Sequence, residues 1–273
     1  MSFDDVTIGT TSILRKKCLE RLMKSIEQSD YDGRIIFVDQ NKEPLNLDEF
    51  DLEIEHIHEP DCGFGTAHNI VADHIETEYM FWVDDDMIFN ENGLKRLLMD
   101  MENHPKLGWV SPTFDRDFTP GRRLRIENNT LLKEKVDLDG LTYCDMPANG
   151  VSLWRTSLYE DVQWEEHLKT GAMHMAIAMK IKNSTDWKTA VEERVVFKHR
   201  PIETKDYKNL RNRKNSSMEW FKEEYNVDKI KTRKDLNTKI KDAIELGKDI
   251  LFNTGRRNRK ENIRILKKFL QKN

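Results

Sequence analysis

The sequence predicts an α/β protein: a Rossmann-like, mostly parallel sheet flanked by helices, followed by a basic helical C-terminal extension. Three observations carry this. Apolar runs short enough to be buried strands alternate with segments of helical periodicity. The run Tyr79-Met80-Phe81-Trp82-Val83 ends abruptly in Asp84-Asp85-Asp86. And from Asp228 to Asn273 there are 15 Lys and Arg against 6 Asp and Glu, although the whole chain has a net charge of -4.

The elements follow in order. Asp5 to Thr11 reads as a strand running into a polar turn, and Leu14 to Gln28 places Leu19, Leu22, Met23 and Ile26 at helical spacing. Asp32-Gly33 is a turn, and Arg34 to Asp39 a second buried strand ending in an acid. Asp51 to His58 alternates as a more exposed third strand. Gly63-Phe64-Gly65-Thr66 opens a helix, and the strand ending at Asp84 follows. Gly93 to His104 is predicted helical, Leu107 to Pro112 a strand, 115–140 a polar loop or hairpin, and Val151 to Trp154 strand-like. A helix is expected within Trp164 to Lys182, a final strand over Ala190 to His199, and a linker or lid over Pro201 to Asn215. Helices are expected at 218–225, 234–252 and 260–271. The domain expectation is therefore 1–200, a linker or lid at 201–216, and a helical basic extension over 217–273.

Composition narrows the function classes. Of 273 residues, 34% are charged and 37% apolar, and no apolar run approaches the length of a bilayer span. The N-terminal residues lack the basic and apolar regions of a signal peptide, which leads to a cytosolic expectation. Cys18, Cys62 and Cys144 have neither the number nor the spacing of a disulfide framework or a zinc site.

Three carboxylates at the end of a buried strand repel one another and resist desolvation, so packing does not account for them. A divalent cation does: in open α/β sheets ligands bind at the C-terminal strand ends, and hard cations take carboxylate and phosphate oxygens together.

The order of motifs resembles a nucleotide-sugar glycosyltransferase of the GT-A fold, in the large family-two group. It covers residues 5 to about 200, through the opening strand, Val38-Asp39, Gly65-Thr66-Ala67-His68-Asn69, Asp84-Asp85-Asp86, Trp164-Glu165-Glu166 and Phe197-Lys198-His199. The resemblance implies a nucleoside diphosphate sugar donor, UDP by the family's habit, with Mn²⁺ or Mg²⁺. Thr10 and Asp39 would meet the base and ribose, while His68 and Asn69 would stand near ribose or phosphate. Asp84, Asp86 and His199 would make up the metal site, one of the two aspartates nearer the ribose and the other on the cation, and Asp85 would orient its neighbours or contact the sugar. Asn149 would reach the donor sugar, and Trp164 would line the acceptor site. Where the family often has Ala-Arg-Asn, this chain has Ala67-His68-Asn69.

Many relatives carry Glu-Asp near positions 173 and 174, one of which deprotonates the acceptor. Here these are Met173-His174, which leaves Glu165, Glu166 and His174 as candidate bases. The acceptor implied is a glycan, lipid-linked glycan or protein. The basic run from Lys229 to Lys272, including Arg256-Arg257-Asn258-Arg259-Lys260, leaves room for an anionic membrane or for duplex DNA, as in phage-type enzymes that glycosylate modified bases. Two readings of other classes stand beside it. A nucleotidyltransferase would need a Gly-rich basic loop after the first strand, where this chain has Gly9-Thr10-Thr11-Ser12; a non-catalytic binding protein would explain Met173.

Overall fold

The structure is a computed structural model that describes residues 3–116, 121–169, 171–202, 204–211 and 215–233. The first half alternates as the sequence predicts: β1 (Val6–Ser12), α1 (Lys16–Glu27), β2 (Ile35–Asp39), β3 (Ile54–His58), α2 (Phe64–Asp73) and β4 (Tyr79–Val83). It continues through β5 (Met87–Ile88), α3 (Glu91–Asn103), β6 (Leu107–Phe114), β7 (Gly121–Glu127), β8 (Thr130–Lys135), β9 (Leu141–Cys144), β10 (Met146–Pro147) and β11 (Val151–Arg155). Then come α4 (Leu158–Asp161), α5 (Met173–Ser184), β12 (Lys188–His199), α6 (Lys205–Arg211), α7 (Asn215–Glu224) and β13 (Lys229–Arg233).

The main sheet has nine strands in the order β3-β2-β1-β4-β11-β6-β12-β5, with β9 also pairing β12. Strands β1, β2, β3 and β4 pair in parallel, as do β6 and β12. Strand β11 lies antiparallel between β4 and β6, so those two groups point the same way and the sheet is mostly parallel. Nothing in the Val151–Trp154 pattern reports direction, because a strand buried on both faces looks the same either way. The insertion has a consequence for the site. Pairing Val151 with Val83 brings Gly150 beside the acidic triplet, where its carbonyl accepts the Asp84 N–H at 2.8 Å.

Alternate strand residues feed two cores, one on each face. Ile8, Phe37, Phe81 and Leu153 meet α1 and α3, through Leu19, Leu22, Leu94 and Leu97. Met80, Trp82, Trp109 and Trp154 meet α2 and α5, through Val71, Ile177 and Ile181. Helix α3 is capped by Asn90, whose side chain accepts the Gly93 N–H at 3.1 Å.

The 115–140 excursion contains a hairpin. Asn128 and Asn129 both adopt positive φ, 46° and 54°, the conformation that closes a two-residue turn between β7 and β8. These strands form a second sheet, β10-β7-β8-β13. Its last member corrects the expectation of a helical extension from 217 onwards: Lys229–Arg233 is a strand, parallel to β8. The segment before it packs on the main body, with Phe221 fully buried and the Tyr225 hydroxyl donating to the Ala176 carbonyl at 3.2 Å. The linker or lid expected at 201–216 contains α6. The helices expected at 234–252 and 260–271, and the Arg256–Lys260 cluster, lie outside the described residues.

Helix α2 sits so close to β1 that a Cβ on Gly9 would lie 2.5 Å from Val71 Cγ1. Gly9→Ala is therefore expected to lower stability by about 1–3 kcal/mol, as over-packing does. Urea denaturation of both proteins measures it, and an unchanged midpoint would refute the tight β1–α2 contact.

Candidate active site

The site is assembled where β1 and β4 end side by side. Asp85, fully buried, accepts the Ser12 hydroxyl at 2.6 Å on Oδ2. Arg15, at the entrance to α1, sends one guanidinium nitrogen to Asp85 and the other to Asp86 Oδ2 at 2.5 Å, with its side chain only 9% exposed. Tyr207 of α6 stacks on that guanidinium, its ring centroid 4.2 Å from Arg15 Cζ. Asp84 turns aside and accepts the Trp82 indole N–H at 2.9 Å. His199, at the end of β12, brings Nε2 within 3.3 Å of Asp86 Oδ2, and the Arg200 N–H donates to the Asp86 carbonyl at 2.8 Å.

The electrostatics separate the three acids. Burial pushes Asp84 up to about 7, and the charge of Asp86 adds to the effect. Burial also pushes Asp85 up to about 7, with Arg15 acting in the opposite direction. Asp86 is buried too, but the His199 hydrogen bond and Arg15 outweigh the desolvation and hold it below the ordinary value. Burial works against the charge of Arg15; Asp85 and Asp86 more than offset it.

Do these residues fit a divalent cation? Among the described residues no three His, Cys, Asp or Glu side chains converge as a ready-made cage. Yet Asp86 Oδ1 is buried and has no hydrogen-bond partner among the described residues, and His199 stands beside the same carboxylate. One carboxylate and one imidazole, with oxygens still to be supplied, is the donor set of a cation completed by a substrate's phosphates. The residues fit.

The neighbouring wall is built on α2. His68 is fully buried between two indoles, with ring centroids 3.3 Å from Trp82 and 4.3 Å from Trp164. Desolvation, and then the proximity of His174, hold its pKa well below the usual histidine value, so it is neutral. The ring expected near ribose or phosphate is thus enclosed by protein, and its polar contact is Asn149 Nδ2, 3.4 Å from Nε2. Asn149 Oδ1 is buried without a hydrogen-bond partner among the described residues, and so is Thr10 Oγ1.

Other expected ligand contacts hold protein instead. Asp39 accepts three bonds from its own loop: the Asn41 N–H at 2.9 Å, the Asn41 amide at 2.7 Å and the Leu45 N–H at 2.7 Å. His56 Nε2 adds a fourth contact at 3.1 Å. Asn69 pairs with the Trp164 backbone in both directions, at 3.0 and 3.1 Å. Trp164 is 3% exposed, so it supports the wall from behind rather than presenting a face to an acceptor. The chain can come this close to α2 because residue 65 is glycine: a Cβ there would lie 2.6 Å from the Glu165 carbonyl oxygen.

The three candidate bases part company. Glu165 is ion-paired to Lys180 at 2.6 Å. His174 sits edge-on to Phe64 and Trp164, at 5.2 and 5.8 Å. Glu166 is exposed and held by the Asn69 amide at 3.2 Å. The residue that sequence reasoning missed is Arg15. No local signal in the sequence announces a partner about 70 positions away. The acidic triplet calls for a cation but does not say which residue supplies it.

With this geometry in place, the comparisons identify the family. The model of glycosyl transferase family 2 matches residues 8–162, more than half of the chain, and the chain belongs to that family. Mouse beta-1,4 N-acetylgalactosaminyltransferase 2 is 28% identical over 156 residues, 55% of this chain and 30% of that protein. Mouse beta-1,4 N-acetylgalactosaminyltransferase 1 is 30% identical over 102 residues, 37% of this chain and 19% of its own length. The chain thus spans a third or less of these relatives. Among solved structures, GalNAc-T7 with UDP, GalNAc and Mn²⁺ aligns with a TM-score of 0.57 at 14% identity, over 71% of this chain and 42% of that one. Staphylococcus aureus TarS 1-349 aligns at 0.52 and 14%, over 73% and 60%. Both share the GT-A architecture expected from the sequence.

The raised pKa of Asp84 has a stability consequence with a definite sign. A carboxyl at about 7 in the folded state and near 3.8 when unfolded stabilises most below 3.8, and that contribution is lost as pH rises through 7. Between pH 5 and pH 8, in the absence of metal, Asp84→Asn should therefore gain stability relative to wild type, by at least about 1 kcal/mol. Chemical denaturation at both pH values checks this; a constant difference would show that Asp84 titrates normally.

Proposed function

We propose that the protein is a metal-dependent glycosyltransferase that moves a sugar from a nucleoside diphosphate sugar to an acceptor hydroxyl on a glycan. The observation that carries this is the buried Asp86 with one unpartnered oxygen, beside His199, at the strand ends of a family 2 fold. Asp86 and His199 would hold the cation, with Asp84 at its edge. A divalent cation there supplies positive charge to the diphosphate as the bond to the sugar breaks.

The chain's own groups have separable tasks. Arg15, fixed by two carboxylates and Tyr207, adds a permanent positive charge next to the departing diphosphate. Asp85 anchors Arg15 and Ser12 and so sets the position of the triplet. Asn149, through its unpartnered Oδ1, accepts a hydroxyl of the donor. Glu166 takes the acceptor proton: it is exposed and held in place, whereas Glu165 is already paired. UDP is favoured because a structural neighbour was crystallised with UDP and Mn²⁺. Another neighbour holds GDP-Man and Mn²⁺, so GDP is the competitor. The names of the sequence relatives make N-acetylgalactosamine the first sugar to test.

Two outcomes are expected. Asp86→Asn should lose Mn²⁺-supported UDP binding by calorimetry while keeping its circular dichroism spectrum; unchanged affinity would remove the metal-site assignment. Glu166→Gln should lower the turnover of UDP-sugar by about 10²-fold with donor affinity unaltered. Wild-type turnover in that variant would shift the base to Glu165 or His174, or indicate a mechanism that needs none.

A further inference from the structure

The second sheet is strongly and asymmetrically charged. Strands β7, β8 and β13 read GRRLRIE, TLLKEK and KIKTR, which is eight Lys and Arg against two Glu. Both glutamates pair with Arg125. Arg122, Arg123 and Lys133 form no ion pair among the described residues. Leu124 is opposite Lys133 in the antiparallel register, which makes Arg122 and Lys133 diagonal neighbours on one face of the hairpin. Burial holds both below their ordinary pKa values, and for Lys133 the charge of Arg122 adds to the effect. In a chain of net charge -4, gathering unpaired cations on one small sheet costs stability unless an anion meets them.

Arg123, on the opposite face of the hairpin from Arg122 and Lys133, opens onto a groove of about 390 Å³, within the size range of ligand sites. Its lining includes Arg123, Lys182 and Lys188 against one acid, Asp145, and that acid is taken by Lys182 at 2.8 Å. Lys188, like Arg123, has no ion pair among the described residues. Two aromatic rings share the groove. Tyr143 is 45% exposed, and the Trp187 ring is fixed by its N–H donating to Asp161 at 2.7 Å. Charged groups alone would suit any polyanion. Cations interleaved with flat apolar faces suit a ring that carries a negative charge on its edge, which describes an acidic or phosphorylated sugar.

Two elements connect the groove to the candidate active site, although its Lys188 begins β12 and His199 ends it, so an acceptor held in the groove must be extended enough to reach from one to the other. Helix α5 begins at the wall with His174 and reaches the groove at Lys182, eight residues later, a rise of about 12 Å. On the other side, Asp145 of the groove leads through β10 directly to Asn149.

We infer that this groove is a binding site for an anionic glycan, through which the acceptor is held by a carboxylate- or phosphate-bearing sugar unit. This rests on the glycosyltransferase reading for the word acceptor, but its test does not use the transfer reaction. The full chain is titrated with fluorescent oligogalacturonate, phosphomannan oligosaccharide, neutral dextran oligosaccharide and duplex DNA across a salt series. Arg123→Gln/Lys188→Gln is titrated alongside, with Mn²⁺·UDP affinity as the control.

The expected result is that at least one of the two acidic glycans binds tenfold or more tighter than dextran, roughly the effect of one good charged contact. The affinity should weaken with salt and drop about tenfold in the double variant, with UDP binding unchanged. Whichever acidic glycan wins identifies the charged group. Three results would overturn the inference: equal binding of dextran and both acidic glycans, no effect of the double variant, or tighter binding of DNA than of either glycan. If UDP binding is absent in wild type while the glycan results hold, the donor-site reading has failed and the groove stands.

Discussion

The charge arrangement at the end of β4 is the constraint on which the rest depends. Three successive carboxylates in a largely dry position cannot all be ionised without a cation, and Arg15 is the one the chain itself supplies. Much of the local architecture follows from holding that pair. The turn after β1 must deliver Ser12 and Arg15 together, and α6 must bring Tyr207 over the guanidinium. Asp86 is left with an oxygen that nothing described satisfies. A buried carboxylate oxygen with no donor is costly, and such costs survive at positions that bind something.

The second constraint is the close approach of α2 to its surroundings. Gly9 admits the helix to β1, and Gly65 admits the Trp164–Glu166 segment to the helix. Between those contacts His68 is clamped by two indoles, and Asn69 ties down the backbone that carries Glu166. The family-like stretch Ala67-His68-Asn69 thereby works mainly as a scaffold. His68 is a neutral, stacked imidazole. The position here is filled by ring packing and has no solvent to support a charge.

The fold was largely legible in the sequence because buried strands and amphipathic helices leave periodic traces; Leu19, Leu22, Met23 and Ile26 fall on the buried face of α1 as their spacing requires. The acidic triplet and His199 were legible for the same reason, each being a polar residue at the end of an apolar strand. What escaped was information that resides in pairing. Strand β11 gives no sign of its direction, and Lys229–Arg233 gains its strand character from lying next to β8. Asp39 reads identically whether it faces a ribose or its own loop, and only the three-dimensional arrangement shows Asn41 and Leu45 saturating it. Arg15 was invisible as a partner of Asp85 and Asp86 for want of any local signal across the intervening chain.

The central claim is that the β4 acids hold a divalent cation which a nucleotide diphosphate completes. Electron paramagnetic resonance of Mn²⁺ titrated into the protein, with and without UDP, tests it most directly. Because the described residues offer no complete cage, the account predicts weak Mn²⁺ binding alone and tight, stoichiometric binding once UDP is present. Mn²⁺ binding of equal strength with and without UDP, or none in either case, would contradict it.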